Sequence, residues 1–451
     1  MSFNKNFVWG ASTAAYQIEG AAFEDGKGAN IWDDLCKLGR IQNGDTGDVA
    51  CDHYHRYKED IALIKECGMN GYRFSISWAR IMPEGRGEIN PAGIKFYQDL
   101  VDELLKNGIT PFVTLYHWDY PSALIKEGGW LNPESPKWFA DYTRTVVEAL
   151  GNKVKHYMTF NEPQVFVGGG YCTGDHAPQL RYSIDNRIKI AHNIMKAHGM
   201  AVKVIREVVE DSKVGFAPCS TGIIPIIETP EEIEAAKEFY YSIGLGEDDW
   251  VWSMTWWSDP IFLGKYPECE AFNRLKKYLP ENYEEDLKLI NQPLDFCAQN
   301  IYQGVYVKKG ENGAEIQPRK VGYPRTAINW VITPEALRWG PRFLYERYGL
   351  PIYITENGIS CADVVSLDGK VHDPNRIDFL NRYLLELKKA AEEGVPVHGY
   401  FQWSLMDNFE WTSGYHERFG LIYVDFETQE RIPKDLFYWY KDIIKSNGEK
   451  L

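Results

Sequence analysis

The sequence has no apolar run approaching the roughly 20 residues of a membrane span, and its first residues, Met1-Ser2-Phe3-Asn4-Lys5-Asn6-Phe7, lack the apolar stretch of a secretory leader. Positive charge is scarce: 49 Lys and Arg stand against 64 Asp and Glu, a net charge of −15. That balance argues against nucleic acid and against an anionic membrane surface as partners. The eight cysteines lie far apart, with no C-x-x-C and no cluster of metal-ligand spacing. They are expected to be reduced, mostly buried thiols of a cytoplasmic protein. No G-x-G-x-x-G follows the first apolar segment, so a dinucleotide fold is not indicated. No Pro/Gly/Ser-rich linker divides the 451 residues either, and one domain over 1–451 is expected. Nothing in the pattern calls for a metal or an organic cofactor.

What the chain does have is aromatic side chains, 14% of residues with 15 Trp and 28 Tyr. Most belong to a core, but the excess suits a site that stacks sugar rings. It also has two stretches of one design. Pro351-Ile352-Tyr353-Ile354-Thr355 is a β-branched and aromatic strand that closes on Glu356, with the turn residues Asn357 and Gly358 after it. Tyr157-Met158-Thr159-Phe160 runs likewise into Asn161-Glu162-Pro163. A single acid at a strand end is usually a solvated loop residue. Two such acids make a carboxylate pair, the equipment of glycoside hydrolysis, and strand ends are where barrel enzymes carry their chemistry.

Strand-like runs alternate with helical patterns along the chain. Strands are expected over Phe7 to Ile18, Asn70 to Trp78 with Arg73, Thr110 to Trp118, the segment ending at Glu162, Lys213 to Ser220, Asp295 to Gln303, the segment ending at Glu356, and Val397 to Leu405. Between them lie amphipathic helices at about His53 to Cys67, Pro91 to Gly108 capped by Asn90, Ser135 to Leu150, Ser183 to Val209, from Thr333-Pro334, from Asp373-Pro374 and Leu436 to Ile444. A poorly periodic insert holds Trp250, Trp252, Trp256 and Trp257. Eight such units predict an α/β fold, a single (β/α)₈ TIM barrel. About 250 residues suffice for a bare barrel, leaving roughly 200 for long βα-loop insertions that wall a pocket.

Four motifs, in order and each at a strand end, carry a resemblance that covers nearly the whole chain. They are Phe7-Val8-Trp9-Gly10 through Ala14-Ala15-Tyr16-Gln17-Ile18-Glu19-Gly20, Thr159-Phe160-Asn161-Glu162-Pro163, Ile354-Thr355-Glu356-Asn357-Gly358, and Trp403-Ser404-Leu405 with Asp407-Asn408-Phe409-Glu410-Trp411. The sequence resembles glycoside hydrolase family 1, the β-glucosidase type. The resemblance implies that Glu356 is the nucleophile, supported by Arg73 and Tyr302, and that Glu162 is the acid and base. It implies that Asn161 meets the sugar 2-hydroxyl, that Gln17, His117, Trp118, Glu410 and Trp411 hold the other hydroxyls, and that Trp403 is the stacking floor. Asn300 is the sixth-strand asparagine, and Trp330 matches an aglycone-side tryptophan.

Some positions depart from the family pattern. Ile301 replaces a tyrosine, Asn329 and Val331 flank Trp330 in place of Gly and Glu, and Leu436 stands where a serine is common. These bear on leaving-group preference and not on the carboxylates. The expected activity is a retaining β-glucosidase acting on small β-glucosides or cello-oligosaccharides, as in cellulose degradation, with a homo-oligomer left open. Weighed beside it are a 6-phospho-β-glucosidase, which a carboxylate at Glu410 opposes, and a β-galactosidase or β-fucosidase. A catalytically dead sugar-binding module would not need both glutamates. A metal-dependent barrel hydrolase would have to use the His53-x-His55 pair, which opens a helix rather than ending a strand.

Overall fold

Eight short segments of apolar and β-branched residues pair side by side in a computed structural model that describes residues 2–451. They are β1 (Val8–Ser12), β2 (Gly71–Ser75), β3 (Thr110–Tyr116), β4 (His156–Asn161), β5 (Lys213–Ala217), β6 (Phe296–Asn300), β7 (Ile352–Asn357) and β8 (Val397–Trp403). All neighbours are parallel, and β1 pairs with both β2 and β8, so the sheet closes into a barrel. A closed parallel sheet has a packed interior and a helical coat, so its strands are buried on both faces. Every residue of β2 and β6 is buried accordingly.

Eight helices form the coat: α1 (His53–Cys67), α2 (Pro91–Lys106), α3 (Ser135–Leu150), α4 (Ile184–Val208), α5 (Tyr283–Ile290), α6 (Ala336–Tyr348), α7 (Pro374–Glu392) and α8 (Asp435–Lys445). Their ends follow local chemistry. The Asn90 side chain accepts from the Ala92 N–H at 3.2 Å with Pro91 at the first turn, and Gly68, at φ +84°, closes α1 in the left-handed conformation.

The expected long first strand is shorter than its apolar pattern. It stops at Ser12, and Ala15–Ile18 form a helical turn that carries Gln17 over the barrel mouth. Periodicity could not separate the two because both faces are buried throughout. The helix expected from Thr333 begins at Ala336. In the tryptophan-rich insert Trp250, Trp256 and Trp257 are fully buried, whereas Trp252 stays 49% exposed. Near it, a small sheet joins Gly222–Pro225, Gly304–Gly310 and Gly313–Ile316. The His53-x-His55 pair opens α1: His53 Nδ1 bonds Asp60 at 2.7 Å, and His55 faces Asp52 and Glu24. Among the described residues, no helix is long and apolar enough to cross a membrane.

The barrel's interior is plugged below the mouth by Phe112, Met158, Ala217, Phe296, Ala298 and Phe401. The rings fit because glycines face them: a Cβ on Gly215 would lie 2.2 Å from the Phe296 ring, and one on Gly10 2.6 Å from Phe401. Gly215→Ala should therefore destabilise the fold by about 1–3 kcal/mol through overpacking, read as a lower denaturant midpoint. Adding Phe296→Leu should restore part of the loss. An unchanged midpoint in the single variant would show that the interior is not packed this way.

Candidate active site

At the C-terminal end of the barrel, Arg73 rises from the middle of β2, fully buried. Its Nη1 donates to Glu356 Oε1 at 2.6 Å and to the Thr355 carbonyl at 3.2 Å. Nη2 donates to Asn161 Oδ1 at 2.5 Å, and Nε to Thr114 Oγ1 at 3.2 Å. One guanidinium thus binds together the ends of β3, β4 and β7. Glu356 receives a second donor at its other oxygen, the Tyr302 hydroxyl at 2.7 Å.

Glu162 is held differently. It lies one residue beyond β4 at φ +46°, before Pro163 opens a helical turn. Asn300 Nδ2 donates to Glu162 Oε1 at 2.8 Å and to Asn161 Oδ1 at 2.9 Å, while Asn300 Oδ1 accepts from Thr355 Oγ1 at 2.7 Å. With its oxygen taken by Arg73 and Asn300, Asn161 must turn its amide nitrogen toward His117, whose Nε2 is 3.0 Å away. That nitrogen then accepts, which puts the ring proton on His117 Nδ1. Burial and the Arg73 charge hold His117 well below the usual imidazole range, so the ring is neutral. His117 Nδ1 is buried with no partner, as is Gln17 Oε1. The Gln17 amide nitrogen is fixed by the Phe409 carbonyl at 2.8 Å and Asn408 Oδ1 at 3.0 Å. One unspent donor and one unspent acceptor at a polar cavity are what a hydroxylated ligand requires.

The cavity has a volume of about 210 Å³ and is lined by His117, Trp118, Glu162, Tyr302, Trp330, Glu356, Trp403, Glu410 and Trp411. Of the other expected residues, Arg73, Asn161 and Asn300 form the frame behind the carboxyl groups, and Gln17 reaches Glu410 Oε2 at 3.4 Å. Trp118 and Trp411 lie tilted at 34° with ring centres 4.6 Å apart, and the Tyr302 ring centre is 5.0 Å from that of Trp330. Trp118 (φ +77°), Glu162 and Trp411 (φ +49°) all have left-handed backbone, which is strained in such residues and concentrates at functional sites. Val165, His176, Ile328, Thr412, Ser413 and Phe419 also line the cavity. Val165, Thr412 and Ser413 lie in helical turns that begin at the motif residues Pro163 and Trp411, whereas His176, Ile328 and Phe419 come from loops whose path only the fold decides. Ile301, a departure from the family pattern, points away: it is fully buried against Gly340 of α6. Leu436 is likewise buried in α8.

Three carboxyl groups therefore meet at one cavity. Burial first, and then the charge of Glu356, push Glu162 up to about 8, against the Asn300 bond that lowers it. Burial raises Glu356 too, but the Arg73 charge and the donors from Arg73, Tyr302 and Asn300 pull it back. Glu162 is thus the member of the pair that keeps a proton near neutrality. Burial, followed by the charges of Glu356 and Glu417, pushes Glu410 up to about 8. Glu410 can therefore donate to a hydroxyl as well as accept from one, so the repulsion of phosphate expected from its charge is reduced.

Asn300→Ala should remove the donor that favours ionised Glu162 and move its titration above about 8. Carboxyl ¹³C NMR on glutamate-labelled protein, with Glu162→Gln for assignment, reads this directly. A downward move would contradict the electrostatics described.

The model of glycosyl hydrolase family 1 matches residues 1–449. The chain is 46% identical over 453 residues to beta-glucosidase A of Thermotoga maritima, covering 99% of this chain and 98% of that one. It is 45% identical over 449 residues to the 1,4-beta-D-glucan glucohydrolase of Thermotoga neapolitana, with 99% of each covered. The solved beta-glucosidase of Thermotoga maritima in complex with glucoimidazole superposes with a TM-score of 0.90 at 46% identity, covering 99% of each chain. With the barrel, the paired carboxyl groups and this similarity together, the chain belongs to glycosyl hydrolase family 1.

Proposed function

We propose that this glycoside hydrolase is a β-glucosidase that removes terminal non-reducing β-D-glucosyl residues with retention of configuration. One observation carries the reading: two carboxyl groups share a cavity but have opposite surroundings. Glu356 lies against a guanidinium and a phenol, and such donors favour the ionised form that a nucleophile needs. Glu162 has burial and the negative charge of Glu356, which favour the protonated form that a general acid needs.

In the first step Glu356 attacks the anomeric carbon while Glu162 protonates the departing oxygen. In the second, Glu162 takes a proton from water, which displaces Glu356 from the sugar. Glycosylation removes the charge on Glu356, so Glu162 becomes more acidic and suits its role as base. Asn161 keeps one amide N–H free for the sugar 2-hydroxyl. His117 Nδ1, Gln17 Oε1, Glu410 and the Trp411 indole take the others over the Trp403 floor, whereas the Trp118 indole N–H, expected to hold a hydroxyl, is donated to the Asn161 carbonyl at 2.9 Å and leaves Trp118 only its ring face.

The names of the relatives, a beta-glucosidase and a glucan glucohydrolase, support glucosides and soluble cello-oligosaccharides as substrates. Against a 6-phosphorylated sugar stands the wall itself, which among the described lining residues includes no lysine or arginine to balance a phosphate. The eight cysteines are all unpaired, which suits a reducing compartment and supports a cytoplasmic location.

The stereochemical prediction is that proton NMR in early turnover shows β-glucose first. Direct formation of the α-anomer would overturn the assignment of Glu356.

The pH prediction uses the same pair. Activity needs Glu356 ionised and Glu162 protonated, so kcat/KM should rise through an acidic limb above the ordinary 4.5 of a glutamate and fall as pH passes about 8. Both limbs belong to the coupled pair. Glu162→Gln should flatten the basic limb and cost alkyl glucosides about 10²–10⁴-fold, with dinitrophenyl glucoside losing far less because its leaving group needs no proton. Equal losses on both substrates with the basic limb intact would show that Glu162 is not the acid.

A further inference from the structure

A hollow of about 450 Å³ lies between two loops and α7. Residues 324–327 of the loop past β6 form one wall, residues 359–362 of the loop past β7 another, and Asn375, Asp378 and Phe379 of α7 the third. Its base is fixed. Ile359, Ser360 and Phe379 are buried, the Ser360 carbonyl accepts from the Ala327 N–H at 3.1 Å, and the Ser360 hydroxyl bonds the buried Glu417. A tight turn separates the hollow from the catalytic cavity: the Thr326 N–H donates to the Trp330 carbonyl at 2.9 Å, and the Trp330 N–H to Thr326 Oγ1 at 3.0 Å. Arg325, Thr326 and Ala327 of this turn line the hollow, while Ile328 and Trp330 line the catalytic cavity.

The rim is apolar where water reaches it. Val321 and Tyr323 come just before the first wall, and Val364, Val365 and Leu367 just after the second. Val321 and Leu367 are wholly exposed, and Val364 is 69% exposed. Single apolar side chains on a surface are ordinary, but five around one hollow make a patch of the kind that marks an interaction site.

Charge says what covers it. Segment 317–325 carries Arg319, Lys320 and Arg325 and no acid, in a chain whose net charge is −15. Arg319 donates to the Tyr323 carbonyl and Arg325 Nη1 to the Asn329 carbonyl at 2.9 Å, neutral partners that leave both charges uncompensated. The opposite flank offers carboxylates at Asp368 and Asp378, with side chains 50% and 62% exposed, and Lys370 is the one lysine of its loop. A face that is basic on one side of an apolar hollow and acidic on the other complements itself. A two-fold axis through the hollow sets the basic flank of each copy on the acidic flank of the other. A foreign acidic or basic surface would engage one flank and be repelled by the other.

We propose that this face joins two copies of the chain in a two-fold dimer, with Val321 and Tyr323 of each copy packed on Val364, Val365 and Leu367 of the other. The interface stands apart from the carboxylate pair and does not depend on the β-glucosidase reading.

The test is sedimentation equilibrium of the full chain at low salt. The parent protein should be a dimer with a Kd on the order of 1 µM or tighter. Leu367→Asp and Val321→Asp should each raise Kd about 30-fold or more, as removal of a central apolar anchor does. Arg319→Glu with Lys320→Glu should raise it about tenfold, and Asp368→Lys with Asp378→Lys likewise. All four charge changes in one chain should bring Kd back toward the parent value, because the swap preserves complementarity across a two-fold axis. In every variant kcat on an aryl β-glucoside should stay within about twofold, which shows that the chain still folds. A parent protein that stays monomeric at about 100 µM would overturn the proposal. So would a dimer unmoved by Leu367→Asp, or one that the fourfold charge swap weakens further.

Discussion

Three carboxyl groups and one guanidinium share the mouth of this barrel, and the rest of the site follows from that imbalance. Arg73 cannot neutralise Glu162, Glu356 and Glu410 together, and its Nη1 contact is committed to Glu356. The other two are pushed up to about 8. Proton occupancy, rather than further cations, resolves the charge. In the proposed mechanism the leaving oxygen takes a proton from Glu162, and a second cation would stabilise the wrong state of that group. The imbalance thus costs folding stability and serves chemistry, a compromise expected where carboxyl groups are made to titrate apart.

The carboxyl groups can be held at odds only because their frame is rigid. Asn161 and Asn300 spend their oxygens and nitrogens on one another, on Arg73, on Thr355 and on Glu162. Each amide orientation fixes the next, out to the tautomer of His117. The strained backbone at Trp118, Glu162 and Trp411 is sustained by the same closure: each lies at or beyond the end of a strand whose pairing is already complete.

The loops past β7 and β8 are secured from beneath by buried charge. Lys434 Nζ lies 2.6 Å from Asp407 and 2.5 Å from Asp363, and Arg376 bonds both Asp363 and Asp373. Asp407 also accepts from Arg418 at 2.7 Å and from the Gly420 N–H at 2.9 Å. Alternating signs satisfy one another away from water, where a lone charge would be costly. The loop bearing Asn408, Glu410 and Trp411 is pinned three residues before Glu410, which lines the cavity.

The sequence by itself determined the barrel and the two glutamates. Strand composition, capping residues such as Asn90 and Gly68, and the run of apolar residues into Glu162 and Glu356 are local signals, readable because each depends on its own few neighbours. Its periodicity failed between Ser12 and Ala15, where a strand and a helical turn are both wholly buried and look alike. Only the tertiary structure decided which carboxyl keeps the proton, since that depends on Arg73 and Asn300, 283 residues along the chain from Glu356 and 138 from Glu162. It alone separated Trp252 from three buried neighbours of the same type, brought His176 and Phe419 to the cavity, and turned Ile301 away from it. Burial and electrostatics are properties of where distant segments meet, and no short stretch of sequence carries them.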